Sequence, residues 1–128
     1  MTKRWSEREI IRMISDIRTQ EHSDIVLGSG DDCAIFENDE RFHSIVSTDM
    51  LVEKIHFNLS LHPPFLLGKK CAAVNLSDIA AMGGQPTFAL VSVSIPDYLD
   101  NTWLKEWSTG LTSMLNEFGC ALIGGDTV

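Results

Sequence analysis

The stretch from Thr87 to Ile95 constrains the fold more than any other part of this chain. Ala89, Val91, Val93 and Ile95 fall on one side of an extended backbone, and Ser92 and Ser94 fall on the other. Side chains alternate between the two faces of a strand, so this is the pattern of a half-buried strand. A sheet with one apolar face needs a second layer to cover it. Two segments of helical periodicity flank the strand and supply that layer. The first opens at Pro63-Pro64, runs to about Met82 with Leu67, Cys71, Val74 and Ile79 on its apolar face, and stops at Gly83-Gly84. The second runs from about Thr102 to Phe118, carries Trp103, Trp107, Leu111, Met114 and Phe118, and stops at Gly119.

The rest of the chain extends the same plan. Ser6 and Glu9 have capping-box spacing, with Trp5 and Ile10 placed for a hydrophobic staple. A helix is expected from about Glu7 to Thr19, its face marked by Ile10, Met13, Ile14 and Ile17. Strands are expected at Ile25 to Leu27, at Cys33 to Phe36, and from Ile45 to Val52 with an end near Asp49. Glu37-Asn38-Asp39-Glu40 reads as a polar turn, and Cys120 to Ile123 as a last strand stopping at Gly124-Gly125-Asp126. The order is helix, strands, helix, strand, helix, strand, with no internal repeat, linker or low-complexity segment. The expected class is α+β in two layers, a mixed sheet with helices packed on one face, and residues 1–128 form one domain.

Composition narrows the function. With 128 residues, 44% hydrophobic and 22% charged, the chain has the makings of a real core. A formal charge of −8 disfavours a nucleic-acid surface, which needs basic patches. It does not disfavour polyphosphates, because bound cations can supply the positive charge. Cys33, Cys71 and Cys120 are odd in number and form no Cys-x-x-Cys pair, so they read as reduced, packed thiols. The amino terminus turns charged too soon for a signal-peptide core, and no apolar run approaches the ~20 residues that cross a bilayer. Cytoplasmic residence without a membrane partner is expected.

Four acidic sites share a pattern. Asp31-Asp32, Asp49 and Asp126 each sit at a break or end of an apolar strand, and Asp78 sits inside the small apolar run 71–82. A carboxylate in such surroundings needs a cation, a hydrogen-bond network or exposure. Asn75 and Asp78 are three apart, a spacing that lets both face one ligand from a helix. Taken singly, each acid also reads as an ordinary turn residue or a solvent-facing side chain. Together with Gly28, Gly30, Gly124 and Gly125 they suggest metal-bridged phosphate binding: hard oxygen donors suit Mg²⁺, and glycines admit a phosphate close to the backbone. A P-loop is excluded, since no Gly-x-x-x-x-Gly-Lys-Ser/Thr occurs. Gly28-Ser29-Gly30 lacks the third glycine of a dinucleotide fingerprint, and its two acids would repel a bare pyrophosphate.

These segments resemble a known family. Gly28-Ser29-Gly30-Asp31-Asp32-Cys33-Ala34 is similar to the glycine-aspartate loop of the aminoimidazole-ribonucleotide-synthetase superfamily. Ser47-Thr48-Asp49-Met50-Leu51-Val52-Glu53 followed by His56-Phe57, the run from Ala73 to Gly83, and Leu122-Ile123-Gly124-Gly125-Asp126-Thr127 resemble its thiamine-monophosphate kinase branch. The motifs stand in order from 28 to 127. One departure is Lys54, where the branch usually has glycine.

The resemblance implies the amino-terminal domain of a kinase that uses ATP and several Mg²⁺ ions to convert thiamine monophosphate to thiamine diphosphate. It implies Mg²⁺ binding by Asp32, Ser47, Thr48, Asp49, Asp78 and Asp126, ATP contacts at Gly125 and Asp126, and contact with thiamine monophosphate at His56. It implies no covalent nucleophile on the protein, a homodimer built through this domain, and a second domain beyond residue 128. By that expectation the chain alone folds but turns over poorly. Two other readings stand beside it: a non-catalytic dimerisation or nucleotide-binding module, and a superfamily ATPase with a different acceptor.

Overall fold

Local capping starts the first helix. In a computed structural model that describes residues 5–17 and 22–128, the Ser6 hydroxyl accepts from the Glu9 amide at 3.3 Å while the Glu9 carboxylate accepts from the Ser6 amide at 2.9 Å. This reciprocal box satisfies donors that a helix start otherwise leaves open, and α1 runs Glu7–Ser15. The helix stops at its cap Asp16, short of the expected Thr19, and residues 18–19 lie outside the described residues. The stripe of Ile10, Met13, Ile14 and Ile17 is exposed, and no residue of α1 is buried.

The chain divides into two compact units, Met1–Val46 and Ser47–Val128. In the first, β1 (Ile25–Leu27), β2 (Ala34–Asp39) and β3 (Phe42–Val46) form an antiparallel sheet in the order β1-β2-β3. Ala34 pairs with Val46, Ile35 with Ile45 and Phe36 with Ser44. The polar turn is shorter than expected. The Asp39 carboxylate accepts from the amides of Arg41 and Phe42 at 2.7 and 3.0 Å, so Glu37 and Asn38 stay in β2. Such a side-chain turn lets a hairpin close in few residues. Cys33, at the foot of β2, is the buried apolar side chain among the described residues of this unit.

The second unit is built on two long helices. α2 (Pro64–Ala81) opens with proline at its first position, where a missing amide costs nothing. α3 (Asn101–Glu117) opens at Asp100, whose carboxylate accepts from the Trp103 amide at 2.8 Å. Both end where the sequence indicates, each with the paired bonds of a Schellman stop: Gly84 N to Ile79 O at 2.9 Å, and Cys120 N to Leu115 O at 2.9 Å. The helices cross in close backbone contact. A Cβ on Gly68 would overlap the Trp107 carbonyl, and one on Gly110 would overlap the Phe65 carbonyl. Around this crossing Leu67, Ala72, Leu76, Trp107, Leu111, Leu115 and Cys120 form the core. Trp103 stacks on Trp107 with ring centroids 6.5 Å apart.

β4 (Phe88–Val93) and β5 (Ala121–Thr127) pair in parallel beside the helices. Ala89, Val91 and Val93 pack on the core, as the alternation requires. The opposite face carries Phe88 and Leu90, 69% and 72% exposed, ahead of the serines. The class is α+β, with the antiparallel and the parallel pairing carried by separate sheets. β5 continues through Gly124, Gly125 and Asp126 instead of stopping at Ile123. The reason is contact: Gly125 lies opposite Val91, whose carbonyl a Cβ there would overlap. Glycine here extends the pairing. The stretch Ser47–Val52 is not a strand, because its polar groups bond to side chains of α2 and not to a neighbouring strand.

Candidate functional site

One face of α2 organises the site. Lys70, Val74 and Asp78 recur every four residues, with Cys71 and Asn75 beside them, so all five share a side of the helix. The Ser47 hydroxyl donates to the Asp78 carboxylate at 2.7 Å. The Asp49 amide donates to the Asn75 side-chain oxygen at 2.9 Å, and the Asn75 amide group donates to the Cys71 carbonyl at 3.1 Å. The expected Asn75–Asp78 pair thus faces a single partner, the segment following Val46. Asp78 and Ser47 are half-buried, and Thr48 and Asp49 are exposed. A carboxylate taken out of water is stabilised by such a donor.

Next to this contact lies a depression of about 180 Å³ lined by Asp49, Met50, Leu51, His56, Lys70 and Val74. Its lining joins the apolar Met50, Leu51 and Val74 to a carboxylate, an imidazole and an ammonium. His56 sits in a tight turn. Its Nδ1 accepts from the Val52 amide at 2.9 Å. A neutral imidazole has one donor and one acceptor nitrogen, so the ring proton is on Nε2. The Lys54 amide donates to the Phe57 carbonyl at 2.6 Å, and Lys54 takes φ +64°, the left-handed region that costs a side-chain-bearing residue about 1–2 kcal/mol. That is the position at which the resemblance calls for glycine, and the turn keeps the glycine geometry with lysine in it.

Asp126 and Gly125 lie on β5, opposite Ser92 and Val91 near the carboxyl ends of a parallel pair. Parallel strands commonly present ligand sites at such ends. Asp32 belongs to the first unit, is exposed, and its amide donates to the Asp31 carboxylate at 2.9 Å. Among the described residues no three His, Cys, Asp or Glu side chains converge as a metal-holding group. Ser47 with Asp78 is the pair of expected ligands that the fold joins directly. Burial pushes the Cys71 thiol up despite a hydrogen bond to Trp107 and the nearby Lys70 charge, and burial pushes Cys120 up as well. Both stay as thiols at neutral pH, the form that is a poor nucleophile. Lys70 was not singled out in the sequence, although its place four residues before Val74 and eight before Asp78 marks the same helical face.

Residues 30–128 match the family described as AIR synthase related protein, N-terminal domain. The chain belongs to this family. All the candidate residues, from Asp32 to Asp126, fall inside the matched span. Thiamine-monophosphate kinase of Bacillus subtilis (strain 168) is 40% identical over 122 residues, covering 95% of this chain and 37% of that protein. Thiamine-monophosphate kinase of Escherichia coli (strain K12) is 43% identical over 104 residues, 81% of this chain and 31% of that protein. The chain therefore spans about a third of the length of these curated relatives. Among solved structures, AaThiL complexed with AMPPCP and TMP superposes with a TM-score of 0.82 at 31% identity, over 98% of this chain and 39% of that one. Thiamine-monophosphate kinase from Stenotrophomonas maltophilia K279a gives a TM-score of 0.63 at 35% identity, over 94% of this chain and 36% of that one. The likeness to AaThiL extends over nearly the whole chain and the family match over residues 30–128, spans that include α2, β4 and β5.

Proposed function

We propose that this chain is the amino-terminal, ATP- and magnesium-binding domain of an enzyme that phosphorylates thiamine monophosphate to thiamine diphosphate. The observation that carries the reading is the superposition over 98% of the chain on a protein complexed with AMPPCP and TMP. The donor chemistry agrees. Ser47 and Asp78 offer hard oxygens in one place, and magnesium commonly takes one or two protein carboxylates and fills its other positions with water and phosphate oxygens. Ser47, Thr48, Asp49, Asp78 and Asp126 would hold several Mg²⁺ ions between them, and Asp32 carries the same assignment in its own unit. When bound, the metal neutralises phosphate charge.

The chain's own residues position the rest. Gly125 and Asp126 contact ATP at the end of β5. The Nε2–H of His56 offers a hydrogen bond to thiamine monophosphate at the depression. The γ-phosphoryl group passes in line to an oxygen of the substrate phosphate, which is itself the nucleophile, as the bond to the β-phosphate breaks and ADP leaves, so no covalent intermediate on the protein is needed. Phosphoryl transfer depends mainly on positioning and charge stabilisation. Thiamine diphosphate formed from ATP and thiamine monophosphate by the full-length protein, with other phosphate acceptors inert, is the expected result. Turnover of a different acceptor in preference would replace the reading with that of another ATPase of the family.

The assembly is proposed to be a homodimer formed through this domain. Phe88 and Leu90 share the outer face of β4, which the helices leave open, and an exposed apolar patch of this kind commonly marks an interface. Light scattering should give twice the monomer mass, and a monomer at high concentration overturns the assignment. Among the described residues no helix is long and apolar enough to cross a membrane, and cytoplasmic residence is part of the same proposal.

A further inference from the structure

The His56 turn is closed by bonds of its own. Ile55 N and His56 N donate to the Val52 carbonyl at 3.2 and 2.9 Å, and Glu53 bridges to Phe57. At its far end Phe57 packs on the core. Those contacts shape the turn and anchor one end. None of them is a hydrogen bond from the turn to α2.

That link is made by Lys70. Its Nζ donates to the His56 carbonyl at 2.6 Å. Among the described residues this is the one hydrogen bond from α2 to the turn 52–57. Lys70 is half-buried, and among the described residues no carboxylate lies within ion-pair distance of it. Its neighbour Lys69, by contrast, pairs with Glu117 at 3.7 Å. With no acidic partner the ammonium donates instead to a neutral carbonyl, a charge-assisted bond at an exposed position.

We infer that Lys70 is a positioning residue: by pinning the His56 carbonyl to α2 it orients the imidazole so that Nδ1 stays on the Val52 amide and the Nε2–H points to the ligand depression. That the ligand there is thiamine monophosphate rests on the kinase reading above. The orientation itself does not.

The test uses the 128-residue chain with nitrogen-15 histidine and three forms: wild type, Lys70→Met and Lys70→Arg. Wild-type His56 should show the nitrogen shifts of a single Nε2-protonated tautomer. Lys70→Met should move both ring nitrogens toward the averaged values of a free imidazole, and Lys70→Arg, which keeps a cationic donor, should restore the wild-type pattern. Thiamine monophosphate titrated into the same samples should bind about 10-fold more weakly to Lys70→Met, the scale of one hydrogen bond lost between a misoriented His56 and the ligand, with MgATP affinity unchanged. A Lys70→Met spectrum with the wild-type tautomer overturns the inference. So does a Lys70→Arg protein that behaves like Lys70→Met, which would make the lysine a structural prop. If wild type binds no thiamine monophosphate while the tautomer responds as stated, the positioning role stands and the kinase reading is what fails.

Discussion

Gly68→Ala should cost at least about 3 kcal/mol of stability, the upper part of the range for overpacking a tight contact. Helix propensity argues the other way. Alanine is about 1 kcal/mol better than glycine inside a helix, so a freely exposed site would gain from the change. At Gly68 the added Cβ overlaps the Trp107 carbonyl and stands 2.7 Å from the Leu111 amide nitrogen. Both are backbone atoms inside α3, and neither yields by a side-chain rotation. The helices must separate, and the core between them, including Leu67, Trp107 and Leu111, loses its packing. Gly110→Ala meets the Phe65 carbonyl in the same way and should be as damaging. For a unit of this size, a loss of that order lowers the melting temperature by on the order of 12 °C or more. Ser77→Ala, at an exposed position of α2, is the control and should change stability by about 0.5 kcal/mol or less. Thermal melts of the three variants decide the matter. A Gly68→Ala protein as stable as Ser77→Ala would mean that the helices do not cross at these glycines.

That crossing shows what could and could not be read from the residues alone. Local rules carried the helix ends: Ser6 with Glu9 built its box, and the glycines after Met82 and Phe118 stopped both long helices. Alternation carried the inner face of β4. Each of these depends on neighbours within a few residues. Non-local contacts were not legible. Gly68 and Gly110 read as ordinary helix glycines until the two helices are brought together. Gly124-Gly125 reads as a strand end, yet Gly125 is the residue that lets β5 lie against Val91. The run from Ser47 to Val52 has strand composition, but the Asn75 side chain captures the Asp49 amide and the ladder never forms.

The site divides along the same line. The acids and His56 stand out because they interrupt apolar runs and fill recognisable motifs. The match to residues 30–128 and the likeness to AaThiL support the family and the architecture that the motifs imply. Ser47 with Asp78 is a contact across 31 positions, and spacing within one helix does not reveal it. Lys70 was hidden for a different reason. A lysine on a mostly apolar helix reads as a solvated charge, and what separates Lys70 from Lys69 is its bond to the His56 carbonyl where Lys69 pairs with Glu117.

Asp78→Asn should abolish most magnesium-dependent nucleotide binding while leaving the fold nearly intact. The substitution keeps size and keeps an oxygen to accept from the Ser47 hydroxyl, so the 2.7 Å contact survives as a neutral hydrogen bond. The stability change is then about 1 kcal/mol or less, the difference between a charged and a neutral acceptor at a half-buried site. Metal binding has no such substitute, because an amide oxygen lacks the charge that a divalent cation needs. Loss of a group that orients a metal's ligands already costs on the order of 10–100-fold in affinity, and loss of a ligand should cost at least as much. The net charge of −8 amplifies the effect: without a bound cation the domain repels the triphosphate. Calorimetry should therefore find ATP binding to wild type in magnesium and little in excess chelator. Asp78→Asn in magnesium should resemble wild type in chelator, and its melting temperature without metal should stay within a few degrees of wild type. Equal ATP affinity of the wild-type protein in magnesium and in chelator would remove the metal from the site. A variant that binds ATP normally but melts far lower would make Asp78 a structural anchor for Ser47.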